Sequence, residues 1–184
     1  PLAKALLARF GSLAAVLAAP VADLMTVQAA DGRGRRNGIG GETALDLAAL
    51  HEVARRIARE EPAKRPVISS WTALLAYVRL ALQHEPREQF RALYLDNRNQ
   101  LILDEIQNRG TVYPREVVRR ALELSAKAMI LVHNHPSGDP TPSRADIEMT
   151  RQVVTAAHAL GLEVHDHLVV GRDGVASFKQ LGLM

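Results

Sequence analysis

Two histidines one residue apart, then seven residues, then a serine followed three positions later by an aspartate: HNHPSGDPTPSRAD, residues 133 to 146, is the stretch best able to do chemistry. Side chains at i and i+2 of a strand leave from one face. If AMILVHN is a strand, His133 and His135 therefore point together while Asn134 points away. The loop PSGDPTP, with three prolines and a glycine, is a stiff turn that can return Asp146, in the first turn of the next helix, over the strand end. Two imidazole nitrogens and a carboxylate oxygen suit catalytic zinc, which keeps its fourth tetrahedral position for water. Each part also has a plainer reading. Ser143 and Asp146 fit a capping box, with the aspartate favoured by the helix dipole, and strand histidines can simply hydrogen-bond. Joined in one pattern, with an apolar strand before and an amphipathic helix after, they favour a metal.

Other metal and phosphate chemistries find no footing. HExxH is absent, because His51 and Glu52 are followed by Arg55 at the last position and His84 and Glu85 by Pro86. With no cysteine there is no disulfide framework, thiolate site or cysteine nucleophile, and the zinc deaminase signature cannot be built. No GxxxxGK[ST] loop occurs. A second pair, His165 and His167 in EVHDHLVV, would share a strand face and could supplement or replace a ligand.

The elements that must position these residues are legible around them. AMILVHN is a short, nearly continuous apolar run, as a buried strand requires. A helix is expected over about Ser143 to Leu160, stopped by Gly161 and followed by LEVHDHLVVG, the turn RDG and a last strand VASF. Upstream, EQFRALYLD and QLILDEIQ alternate in the strand manner around DNRN, a hairpin turn. A helix led by Ser69 or Ser70 runs through Trp71, Leu74, Leu75, Val78 and Leu82. Pro114 suits the first turn of another through Val117, Val118, Ala121 and Leu124. The result is a mixed α/β unit over residues 67–184.

Residues 1–61 read almost entirely as helix, with Gly11, Pro20 and the run DGRGRRNGIGG as punctuation and a last helix ending near Glu60. Charged, proline-broken residues 62–66 make a linker. A composition 47% hydrophobic suffices for at least one full core. The longest apolar run, from Ser12, is interrupted by Pro20 and Asp23 and falls short of a membrane span, and no signal pattern opens the chain, so a cytoplasmic location is expected. A net charge of +3 permits nucleic-acid contact without arguing for it.

HNHPSGDPTPSRADIEMT, preceded by PREVVRRALELSAKAMILV, closely resembles the RadC family, the bacterial branch of the JAB/MPN/JAMM metalloprotease fold, over nearly all of residues 67 to 184. The resemblance implies a three-layer α/β/α domain of the kind shared with cytidine deaminases. It implies one zinc ion held by His133, His135 and Asp146, with Ser143 beside the zinc-bound water or the developing oxyanion. It also implies hydrolysis of peptide or isopeptide bonds in a peptide or protein substrate. The family's general base is a glutamate just before the first central strand. Glu88 in PREQFRALYL matches that position, with Glu85, Glu105 and Glu116 as nearby competitors. The same resemblance places His167 on a core strand after the site and gives His165 no role. GTVYPREVV is several residues shorter than the family's usual spacing beside the active-site face.

GIGGETALDLAAL resembles the second half of a helix-hairpin-helix, in which a GxG turn and the next helix present N–H groups to a DNA phosphate. With Arg33, Arg35 and Arg36 just before Gly38 and Gly40, this implies nonspecific DNA contact. AADGRGRRN intervenes where a tight hairpin would join directly to the preceding helix. The alternative function is a DNA-binding repair or recombination accessory protein whose metal site is structural or vestigial.

Overall fold

The computed structural model describes residues 2–30, 36–64, 70–108 and 112–184. The chain divides into two compact units, Pro1–Ile57 and Ala58–Met184.

The first unit holds helices α1 (Leu2–Phe10), α2 (Leu13–Ala18) and α3 (Val21–Met25), strands β1 (Gln28–Ala30) and β2 (Arg36–Gly38), and most of α4 (Gly41–Lys64). Ser12 caps α2 by accepting the Ala15 N–H. Val16, Leu24, Ile39 and Ala44 make its small core. An all-helical unit is thus corrected by one antiparallel ribbon, Gln28 opposite Gly38. The glycines at positions 32 and 34 disfavour helix on entropic grounds, and the residues on either side, Gln28–Ala30 and Arg36–Gly38, pair as strands. Helix α4 runs on past Glu60, through Pro62, to Lys64. Residues 62–64 of the expected linker are therefore helical, and 65 and 66 lie outside the described residues.

The second unit is built from α5 (Trp71–Leu82), β3 (Phe90–Leu95), β4 (Leu101–Asn108), α6 (Pro114–Glu123), β5 (Ala128–Asn134), α7 (Arg144–His158), β6 (Glu163–Val170) and β7 (Val175–Ser177). One five-stranded sheet runs β4-β3-β5-β6-β7. Its adjacent pairs are antiparallel except β5 and β6, which are parallel and joined by the crossover helix α7 that such a pair needs. The β3–β4 hairpin closes on Asp96, whose Oδ1 accepts the N–H groups of Arg98 and Gln100, while Asn99 takes φ 57.

Strand alternation sorts the core into two faces. Ala92 and Tyr94, with Met129 and Leu131, pack under Val117, Val118 and Ala121 of α6 and Val153 and Ala157 of α7. Leu93 and Leu95, with Ile130 and Val132, pack under Leu74, Tyr77, Val78 and Leu82 of α5. This is the expected three-layer α/β/α domain. Burying one such leucine or isoleucine contributes roughly 1.5–3 kcal/mol. The α5 face also holds an ionic group: Arg91 donates twice to Asp104, both bonds 2.9 Å, and Tyr77 donates to the same carboxylate.

Candidate metal centre

The period-2 pattern of β5 carries straight into the site. His133 follows Met129 and Leu131 onto the α6/α7 face and is 1% exposed, whereas Asn134 follows Ile130 and Val132 onto the α5 face. Ser143 then starts α7 with both bonds of a capping box: the Asp146 N–H donates to Ser143 Oγ at 3.2 Å, and the Ser143 N–H donates to Asp146 Oδ2 at 2.7 Å. The box aims the free side of the Asp146 carboxylate at the strand end. His133 Nε2 and His135 Nε2 lie 3.0 Å apart, and they stand 3.4 and 3.5 Å from Asp146 Oδ1 and Oδ2. Zinc bonds of about 2.0–2.1 Å in a tetrahedron set ligand atoms about 3.3 Å from one another. The three groups fit that spacing and are the ones among the described residues able to hold an ion together.

The hydrogen bonds behind the ligands decide where the lone pairs lie. The Thr150 hydroxyl donates to the Asp146 carbonyl at 2.6 Å, so its oxygen accepts from His167 Nδ1, also 2.6 Å away. Burial, then the neighbouring His133 ring, push the His167 imidazole well below its ordinary value of 6.5, with Asp146 opposing. His167 is therefore neutral, and its Nε2 accepts from His133 Nδ1 at 2.8 Å. His135 Nδ1 faces the Asp139 carbonyl at 2.8 Å and must donate to it. Both Nε2 atoms thus keep lone pairs directed into one space with a carboxylate beside them. Two such lone pairs at 3.0 Å repel unless a cation lies between them. Burial alone would raise the Asp146 carboxyl, but the His133 imidazole and the Ser143 cap beside it prevail and hold it well below the ordinary carboxylate value.

His167 and Thr150 are the residues sequence reasoning missed in this role. Their signals were present: Thr150 lies four residues after Asp146 on one helix face, and His167 sits on the strand parallel to β5, opposite Leu131. The shared face expected for His165 and His167 is corrected. A bulge in β6, where Val164 pairs with Met129 but Asp166 with Ile130, inserts His165 as an extra residue. His165 bonds Asn99 Oδ1 at 2.7 Å and lines a cavity of about 290 Å³ with Trp71, Ile130 and Lys179.

Glu88 is exposed in the stretch before β3 and makes no hydrogen bond or ion pair with a described residue. Phe90 opposes His133 at the end of the β3–β5 ladder, so Glu88 lies two residues beyond that end, in the stretch that leads into β3. The competing carboxylates are engaged elsewhere: Glu105 with Arg120, Glu116 with Arg115 and Arg119, and Glu85 in the field of Arg91. In the first unit Gly38 ends β2 rather than sitting in a turn, and Gly40 directly precedes α4, its carbonyl accepting the Ala44 N–H. Arg33 and Arg35 lie outside the described residues, and of Arg36 only the backbone is described.

A family model for the RadC-like JAB domain matches residues 68–183. That span begins just before α5, takes in all five strands of the larger sheet and the His133, His135 and Asp146 cluster, and covers more than half of the chain. The protein therefore belongs to the RadC family, and its second unit is a JAB/MPN-like domain.

Proposed function

We propose that the protein is a zinc-dependent hydrolase, a metallopeptidase of the JAMM type acting on peptide or isopeptide amide bonds. The observation that carries this reading is the convergence of the His133 and His135 Nε2 lone pairs and the Asp146 carboxylate at mutual distances of 3.0 to 3.5 Å. Zinc held there would supply Lewis-acid polarisation of a carbonyl and an acidified water at neutral pH. Glu88, in the stretch that leads into β3, would take the proton from that water and return it to the leaving amine. The Ser143 hydroxyl accepts the Asp146 N–H at 3.2 Å, and its own hydrogen would be donated to the developing oxyanion. Membership of the RadC family supports a hydrolase-like frame. A nonspecific contact with DNA is a second part of the proposal, supported by Arg33, Arg35 and Arg36 in the sequence ahead of Gly40, which directly precedes α4.

The test is elemental analysis of protein purified without chelator, followed by cleavage of model peptide and isopeptide substrates. Near-stoichiometric zinc is expected in the wild type and its loss in His133→Ala, His135→Ala and Asp146→Ala. Glu88→Gln should keep zinc and lower turnover about 10²–10⁴-fold. Absence of zinc from the wild type would sink the metal reading. Zinc retained without any amide hydrolysis would favour the alternative, a DNA-associated accessory protein with a structural metal.

A further inference from the structure

The asparagine between the two histidines leaves the opposite face of β5, where a side chain contributes nothing to a metal. It is nonetheless 1% exposed and uses its whole carboxamide. Asn134 Oδ1 accepts the Gln89 N–H at 2.9 Å, and Nδ2 donates to the Arg87 carbonyl at 3.1 Å and the Glu85 carbonyl at 3.2 Å. Two of these three bonds fall on the residues immediately before and after Glu88. The β3–β5 ladder begins at Phe90, so the backbone of residues 85–89 lies beyond its reach. Arg87 and Glu88 are exposed and offer little packing of their own. A buried amide with both donors and its acceptor engaged is a strong local restraint, because any of its groups left unpaired would have lost its water with no bond in exchange.

We propose that Asn134 is a positioning residue that clamps the backbone on both sides of Glu88 and so sets this carboxylate against the ion between His133 and His135. One three-residue unit then does two jobs through strand alternation: its outer members hold the metal on one face, and its middle member holds the base segment from the other. The inference rests on the proposed role of Glu88 and adds to it what orients that residue.

Cobalt-loaded protein provides the test, read by the pH midpoint of cobalt's visible absorption band, which needs no substrate. Glu88→Gln is expected to move the midpoint by about one pH unit, as loss of a carboxylate close to the ion should. Asn134→Ala should move it in the same direction by more than half as much, with cobalt still bound at one equivalent. Val132→Ala, which weakens the buried packing of the same strand and leaves the clamp intact, should leave the midpoint at the wild-type value. Asn134→Asp keeps the acceptor for Gln89 and loses both donors; it should fall between Asn134→Ala and wild type, and it carries the test if Asn134→Ala does not fold. A wild-type midpoint in the Asn134 variants beside a displaced Glu88→Gln would overturn the clamp alone. An undisplaced Glu88→Gln would overturn the base reading and the clamp with it. Loss of cobalt binding in both Asn134 variants would assign Asn134 to the metal site itself and also overturn the proposal.

Discussion

At the scale of single residues, what distinguishes this site from two strand histidines near a helix cap is which nitrogen of each ring carries the hydrogen. The Thr150 hydroxyl sets His167, His167 sets His133, and the Asp139 carbonyl sets His135. Such partners behind a ligand typically influence metal affinity about 10–100-fold. Thr150→Val keeps the shape and removes both the donor to Asp146 and the acceptor for His167. Zinc affinity measured by chelator competition should then fall about tenfold, with Thr150→Ser close to wild type. An unchanged affinity in Thr150→Val would mean that the ring orientation is held by packing alone, for instance by Phe178 stacked on His167 at 4.6 Å.

Strands and loops position the candidate ligands by close backbone approach. The His135–Asp139 turn lies against the β6–β7 turn, where the His135 N–H donates to the Val170 carbonyl at 2.9 Å and Arg172 donates to the Ser137 carbonyl at 2.8 Å. A Cβ on Gly171 would sit 2.1 Å from the Gly138 carbonyl oxygen, and Gly138 itself has φ +104. Both positions thus demand glycine, one for space and one for conformation. Gly171→Ala should cost about 1–3 kcal/mol of stability in denaturant unfolding and weaken zinc binding, because the turn that must yield carries the carbonyl orienting His135. A variant as stable as the wild type with unaltered zinc affinity would show that the two turns can part freely. Elements of this kind were only half visible beforehand. The alternation of FRALYL and the apolar AMILVHN announced their strands, but the extra residue at His165 left no mark in the pattern, since EVHDHLVV reads equally well as unbroken alternation.

On the scale of the whole molecule, the two compact units carry different parts of the proposal: a metal centre in residues 58–184 and a phosphate contact in residues 1–57. No helix among the described residues is long and apolar enough to cross a membrane. Contact with DNA through Arg33, Arg35 and Arg36 would be electrostatic. Fluorescence titration against nonspecific duplex should therefore show log affinity falling linearly with log salt, by about 0.9 for each phosphate neutralised. Replacing the three arginines by alanine should weaken binding and flatten that slope. Affinity that ignores salt, or that survives the triple replacement, would remove the DNA contact from the proposal.

The sequence by itself determined what local chemistry can determine: the α/β alternation, the strand that pairs His133 with His135, the cap that places Asp146, and the turn at DNRN. Each depends on residues within one or two turns of one another, where period, capping and proline or glycine geometry are decisive. Tertiary structure alone decided that His167, 34 residues after His133, stands behind it, and that a β6 bulge sends His165 to the opposite face. It alone decided that Asn134 reaches back across 45 residues to Gln89. These relations come from register and from the packing of strands distant in the chain, which no local pattern encodes. That is why the cluster that could hold an ion was legible in HNHPSGDPTPSRAD and the groups behind it were not.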